Sequence, residues 1–138
     1  MAIQRQSAKA QILILMDEPD LAATLARFLG ALGYAPHVLP SGNDALRLVD
    51  AERPDLILAD VSLPGSVGGL DLLRHVRTRG DRVPVILCTG RAADLPRRQA
   101  LAAGAADYLT KPFSLAELRA TVERVLGGPR PGEPATGS

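Results

Sequence analysis

Short apolar runs alternate with segments of helical periodicity along most of the chain. The runs have the length of strands, and in the segments between them apolar residues recur at every third or fourth position. Ser114 and Glu117 have capping-box spacing, and Ser41 precedes Asp44 in the same way. The pattern predicts strands at 11–16, 34–39, 56–60, 83–88 and 105–110, and helices at 19–32, 41–52, 70–80, 94–103 and 115–126.

Regular alternation of strands and helices with short connections predicts an α/β fold. Strands in such a chain form a parallel sheet, joined by right-handed crossovers and covered by helices on both faces. The run 56–59 is apolar throughout, as expected of a strand buried on both faces. Pro36 lacks a backbone N–H and places the second strand at the sheet edge. We therefore expect a doubly wound, five-stranded parallel sheet in a three-layer sandwich.

Composition limits the classes of function. The 138 residues suffice for one domain, and the net charge of +1 gives no reason to expect nucleic-acid binding. With one cysteine, no disulfide framework or cysteine-based metal site is expected. No apolar signal core or membrane-length run is present, so a cytoplasmic location is predicted. We expect a flexible lead-in at 1–10, a folded domain at 11–126 and a flexible tail at 127–138, where Pro and Gly are frequent.

Polar side chains with complementary chemistry stand at four predicted strand ends. Asp17 follows the first strand, Asp60 closes the third, Thr89 follows the fourth and Lys111 closes the fifth. The carboxyl ends of parallel strands share one edge, where ligands of open α/β sheets bind. Two carboxylates, a hydroxyl and an ammonium suit a phosphoryl group and a divalent cation, with Asp60 as nucleophile. The simpler alternative is that Asp60 only caps a turn.

The motifs in order resemble the receiver domains of two-component response regulators. They are D-E-P after the first strand, P-D-L-I-L-A-D-V-S-L-P around the third, V-P-V-I-L-C-T-G around the fourth and G-A-A-D-Y-L-T-K-P-F at the fifth. Each motif is weak alone, but their order and spacing together are specific, and the resemblance covers 11–126. It implies a flavodoxin-like (βα)5 fold with strand order 2-1-3-4-5 and a role in bacterial signalling as a phosphoprotein rather than an enzyme.

The resemblance also implies roles for individual residues and for partners. Phosphorylation would come from a histidine kinase or phosphotransfer protein, and a downstream protein would bind the face formed by the fourth helix, fifth strand and fifth helix. Whether the chain forms a homodimer stays open. The implied roles are phosphoacceptor for Asp60, magnesium ligands for Asp17, Asp60 and the backbone carbonyl of Ser62, phosphoryl-binding cation for Lys111, and switch residues for Thr89 and Tyr108.

Two features depart from the family pattern. Met16 stands where the family usually carries the first of two adjacent acids, and a thioether is a poor partner for magnesium. We expect magnesium affinity to fall by roughly 10- to 100-fold, the scale of losses among outer ligands. Glu18 is the nearest acid that could take the missing role, although its position favours solvent. The second departure is the glycine-rich loop G-S-V-G-G after Pro64, which puts access to Asp60 in question.

Two other functions compete with a phosphorylated receiver. A degenerate receiver could bind a partner without phosphorylation because of Met16, and a magnesium-dependent phosphohydrolase could use a similar sheet. Cys88 is interpreted as core packing, and neither His37 nor His75 has the spacing of a metal or catalytic site. Three arginines, Arg91, Arg97 and Arg98, are interpreted as a solvated helix face or a partner surface.

Overall fold

A five-stranded parallel sheet forms the centre of the protein. The structure is a computed structural model that describes residues 9–61, 63 and 67–127. The strand order 2-1-3-4-5 and the doubly wound, flavodoxin-like architecture are confirmed. The predicted lead-in and tail fall mainly outside the described residues and stay predictions. The strands are β1 (Gln11–Leu15), β2 (Ala35–Leu39), β3 (Leu56–Asp60), β4 (Val85–Thr89) and β5 (Asp107–Thr110).

Each strand is followed by a helix. Within the described residues, no helix has both the length and the apolar character needed to cross a membrane. The cap of the last helix is formed as predicted, since the Ser114 hydroxyl accepts from the Glu117 N–H at 3.0 Å and the Glu117 carboxylate accepts from the Ser114 N–H at 3.1 Å. The helices are α1 (Pro19–Ala31), α2 (Gly42–Ala51), α3 (Gly69–Thr78), α4 (Arg97–Ala102) and α5 (Leu115–Leu126).

Two apolar layers lie on the two faces of the sheet. Strand side chains alternate between them, so that Leu13 and Leu15 pack with α2 and α3, and Ile12 and Ile14 pack with α1 and α5. Both layers contain side chains from all three inner strands, β1, β3 and β4, which are fully buried. The edge strand β2 is only partly buried and carries Pro36, as predicted.

Helix α4 is shorter than predicted. The expected start near Asp94 is wrong, because Pro96 is the N-cap in extended conformation (φ −61°, ψ 151°) and the helix begins at Arg97. A residue that precedes proline avoids the helical region, so Leu95 cannot belong to a helix that continues through Pro96. Strand β4 likewise begins at Val85, one residue after Pro84, and not at Val83.

A buried carboxylate joins α4 and α5 to the end strand of the sheet. Asp107, whose side chain is 5% exposed, contacts Arg97 at 2.9 Å and Arg124 at 2.6 Å, and it also accepts from the Tyr108 N–H. Burial alone would raise the pKa of Asp107, but the hydrogen bonds from Arg124, the Tyr108 N–H and Arg97 outweigh it and lower the pKa. Arg97 is therefore not only a solvated helix residue, since it fixes α4 to β5.

We predict that Asp107→Asn lowers the free energy of unfolding at pH 7 by about 1–2 kcal/mol, because two half-exposed arginines lose their shared partner. A carboxyl group whose pKa is lower in the folded protein than in the unfolded chain stabilises the fold at pH values above the unfolded pKa. This stabilisation is lost as the pH falls through the folded pKa. The free energies of unfolding of the wild type and Asp107→Asn, measured with urea at a series of pH values, should therefore become equal only below about pH 3.8, the ordinary pKa of Asp. Equal stability at pH 7 would show that the ion pairs contribute nothing.

The two tyrosines offer a matched pair for a second stability test. Among the described residues the buried Tyr34 hydroxyl has no hydrogen-bond partner, whereas the Tyr108 hydroxyl donates to the Leu95 carbonyl at 2.5 Å. We predict that Tyr34→Phe raises the free energy of unfolding by about 1 kcal/mol, since it removes an unsatisfied buried donor. Tyr108→Phe should lower it by a similar amount. Urea unfolding measures both, and a loss of stability in Tyr34→Phe would indicate an unseen partner for its hydroxyl.

Candidate functional site

A cavity of about 180 Å³ opens at the edge where the strands end. It contains the four side chains that sequence reasoning assigned to this edge. Four of the strands, β1, β3, β4 and β5, follow one another in the parallel sheet. Their carboxyl ends therefore bring residues that are distant in sequence to the same edge. The cavity is lined by Asp17, Glu18, Asp60, Val61, Cys88, Thr89, Gly90, Arg91, Asp94 and Lys111.

Asp60 is the deepest carboxylate of the cavity. It is the last residue of β3, opposite Cys88 of β4, and its side chain is 8% exposed. Oδ1 lies 2.7 Å from Lys111 Nζ and forms an ion pair with it. The contact is too poorly directed to count as a hydrogen bond, and this buried oxygen has no aligned donor among the described residues. Burial raises the pKa of Asp60, and the Lys111 contact opposes the rise without cancelling it. The carboxylate is therefore buried beside a cation, and Asp60 lines the cavity.

Lys111 lies between two carboxylates. Its Nζ is 2.7 Å from Asp60 Oδ1 and 2.5 Å from Glu18 Oε1. Burial would lower the Lys111 pKa, but the contacts with Asp60 and Glu18 outweigh burial and raise it, so the side chain is an ammonium at neutral pH. The residue follows β5 and forms a cis peptide bond with Pro112.

Two carboxylates of the cavity could hold a cation. Asp17 and Asp60 provide the oxygen ligands that Mg²⁺ takes, and this ion commonly keeps several waters. The chemistry of this pair of carboxylates therefore fits the ion. Across 9–61, 63 and 67–127, no group of three or more His, Cys, Asp or Glu side chains has metal-site spacing, so a protein-only cage of side chains is not formed there. Ser62 and the first two residues of the glycine-rich loop, Gly65 and Ser66, lie outside the described residues, whereas Gly69 at its end begins α3.

Met16 does not face the cavity as an oxygen donor would. Its side chain is 1% exposed and packs in the apolar layer under α1 and α5. Met16 is thus a core residue at the position where the family pattern has an acid. Glu18, expected in solvent, is half-exposed and makes the ion pair with Lys111. Sequence reasoning missed this pair because the two residues are 93 positions apart.

Thr89 and Tyr108 are held by backbone groups. The Thr89 hydroxyl accepts from the Arg91 N–H at 3.0 Å and lies 3.3 Å from the Arg91 carbonyl, so it is engaged in the turn that follows β4. Tyr108 is buried, with its hydroxyl on the Leu95 carbonyl just before α4. Both bonds connect the end of the sheet to the segment that leads into α4.

The remaining candidates have structural surroundings. Cys88 is fully buried, and burial raises the pKa of its thiol, as expected of an inert core residue. His75 has a partner that the sequence did not reveal, because its Nε2 lies 2.8 Å from Asp50 Oδ1 on the opposite side of the α2–α3 contact. Exposed Arg91 pairs with Asp94 at 3.1 Å.

The chain was also compared with known proteins. The response regulator receiver domain model matches residues 12–123. Response regulator MprA of Mycolicibacterium vanbaalenii is 36% identical over 125 residues, covering 91% of this chain and 54% of the relative. Transcriptional regulatory protein BaeR of Escherichia coli is 40% identical over 116 residues, covering 84% and 48%. The chain spans about half the length of these relatives.

Solved structures show the same similarity. The receiver domain of the Francisella response regulator 1452 has a TM-score of 0.80 at 28% identity, covering 86% of this chain and 98% of that one. The receiver domain of sensor histidine kinase PA1611 from Pseudomonas aeruginosa, solved with magnesium in its active-site cleft, has a TM-score of 0.76 at 35% identity, covering 87% and 99%. By family match, sequence identity and fold, the chain belongs to the response regulator receiver domains of two-component signalling.

Proposed function

We propose that the chain receives a phosphoryl group on Asp60 from a phosphohistidine of a histidine kinase or phosphotransfer protein. The observation that carries the proposal is the buried Asp60 carboxylate, which lines a cavity with the Lys111 ammonium beside it. A carboxylate oxygen attacks phosphorus, the P–N bond breaks, and the imidazole leaves with the bond's electron pair and takes up a proton. No other carboxylate of the cavity is as buried, so Asp60 is the preferred acceptor.

Besides the acceptor Asp60 itself, three groups of the chain assist the transfer. Asp17, Asp60 and the backbone carbonyl of Ser62 would hold Mg²⁺, which offsets the negative charge that gathers on the phosphoryl oxygens. The Lys111 ammonium already lies 2.7 Å from Asp60 Oδ1 and pairs with the product. Cytoplasmic magnesium and a cytoplasmic donor suit this chemistry.

Signal output follows from the added charge. A phosphoryl group brings nearly two negative charges to Asp60. The Thr89 hydroxyl then leaves the Arg91 turn for the phosphoryl oxygens, and the segment between β4 and α4 moves with it. Because Tyr108 is bonded to Leu95 in that segment, the change reaches the face formed by α4, β5 and α5. A downstream protein, or a second copy of the chain, would bind this face.

Met16 favours one alternative. In this alternative the domain binds magnesium weakly, because a buried apolar side chain stands where an acid was expected. The domain would then act as a docking module that needs no phosphoryl group. The phosphohydrolase hypothesis has less support, since the cavity of about 180 Å³ is small for an organic phosphate ester.

Phosphorylation of the purified chain by acetyl phosphate with magnesium separates these functions. We expect intact-mass spectrometry to show one added phosphoryl group, and Asp60→Asn to abolish it, because the amide cannot form the acyl phosphate. Asp20→Asn, which removes an exposed acid of the first turn of α1, should be phosphorylated like the wild type. No added mass even at high magnesium would support the docking module, and steady turnover of a phosphate ester would support the hydrolase.

Met16→Asp should raise magnesium affinity by about 10-fold or more, because it returns an oxygen donor to the edge of the site. Titration of magnesium followed by NMR measures the affinity. Met16→Leu is the control, since it keeps an apolar side chain of similar volume and should leave affinity unchanged. The new carboxylate replaces a buried side chain, so the free energy of unfolding should fall by about 1–3 kcal/mol. Equal magnesium affinities in folded wild type and Met16→Asp would show that the missing acid does not limit binding.

A further inference from the structure

The ion pair between Glu18 and Lys111 is an unusual use of a helix N-cap residue. Glu18 precedes α1 in extended conformation, yet its side chain makes no capping hydrogen bond. It crosses instead to the end of β5, where Oε1 lies 2.5 Å from Lys111 Nζ. An acidic side chain near a helix N-terminus is stabilised by the free N–H groups. In this chain the Glu18 carboxylate pairs with the ammonium and makes no hydrogen bond to the helix end.

Lys111 therefore has two anionic partners of very different burial. The side chain of Asp60 is 8% exposed, whereas that of Glu18 is 55% exposed. The Asp60 contact is fixed by the strand from which it extends. The Glu18 contact is made by a flexible, half-solvated side chain, which water can replace at low cost. Of the two contacts, the one with Glu18 is easier to break.

The Glu18–Lys111 pair also separates two cavities. Both residues line the phosphoryl-site cavity and a second cavity of about 440 Å³, whose other walls are Leu21, Pro112 and Phe113. Glu18 thus lies in the wall that the two cavities share. Its carboxylate and an anion in the phosphoryl site would compete for the Lys111 ammonium.

We propose that Glu18 is a built-in competitor of the phosphoryl group for Lys111, holding the ammonium in the unphosphorylated protein and releasing it when Asp60 is phosphorylated. The inference rests on the proposed function. A phosphoryl group carries nearly two negative charges and displaces a half-exposed carboxylate that carries one. Lys111 stays protonated and only changes partner, while Asp60 forms its bond to phosphorus and the donor's bond to phosphorus breaks. Glu18 is a positioning residue that slows phosphorylation and returns Lys111 to its resting contact after the phosphoryl group is lost.

The rate of phosphorylation tests the competition. With acetyl phosphate, and magnesium saturating for each variant, Glu18→Gln should be phosphorylated about 2- to 5-fold faster than the wild type, the range expected of an exposed ion pair. Asp20→Asn removes the same charge two residues further along, without a contact to Lys111, and should keep the wild-type rate. Potassium chloride at about 1 M should reduce the advantage of Glu18→Gln, because the Debye length falls to about 3 Å. An equal or slower rate in Glu18→Gln would overturn the proposal.

A double-mutant cycle tests the resting contact without phosphorylation. The wild type, Glu18→Gln, Lys111→Met and the double variant are unfolded with urea at pH 7. We expect the two substitutions to be coupled, with the unfolding equilibrium constants departing from additivity by about 2- to 5-fold. Additive effects would overturn the proposal even if the rates differ, because Glu18 would then act as a general surface charge.

The outcomes also separate this inference from the proposed function. If the wild type is phosphorylated on Asp60 and Glu18→Gln does not differ from it, the inference fails and the function stands. If neither protein accepts a phosphoryl group, both fail, whatever the cycle shows.

Discussion

The Lys111 ammonium beside the buried Asp60 carboxylate is the contact on which the arrangement of the site depends. A carboxylate that is 8% exposed would be costly to keep ionised without a nearby cation. The cation is supplied from the far end of the chain, since Lys111 follows β5 and Asp60 closes β3, with β4 between them. A parallel sheet places both residues at one edge, and the strand order leaves only β4 between them. The contact is poorly directed and leaves Oδ1 without an aligned donor among the described residues, while Asp60 as a residue lines the cavity.

The same edge shows a conflict between core packing and ligand binding. Met16 fills the apolar layer under α1 and α5, where an acid in its place would bring a second carboxylate toward Asp60. Like charges near a buried carboxylate raise its pKa and lower stability. The protein thus gains packing at the position where the related family usually has a metal-site acid. Besides Asp60, the acids at the cavity are the more exposed Asp17, Glu18 and Asp94.

The face formed by α4, β5 and α5 is connected to the site by few but specific contacts. Asp107 fixes both helices to β5 through Arg97 and Arg124, and the next residue, Tyr108, is bonded to Leu95 ahead of α4. Helix α4 itself is short and buries only Ala100, so apolar packing holds it weakly. Ion pairs and one hydroxyl therefore decide where α4 lies, and such contacts can be exchanged by a change of charge more readily than an apolar core can be rearranged.

The sequence by itself determined the elements, their order and the edge at which chemistry is concentrated. Periodicity identified every strand and helix, Pro36 identified the edge strand, and the motifs at four strand ends identified the family, because these signals are local or depend only on parallel topology.

Only the tertiary structure decided the contacts between elements. The Glu18–Lys111 pair, the Asp107 network and the His75–Asp50 contact join residues with no fixed spacing in the chain. Likewise, the burial of Met16 depends on how neighbouring segments pack, since the same residue could have faced the cavity. Local propensity determines where a helix or strand forms. Which side chains contact each other across the sheet edge is determined by three-dimensional packing.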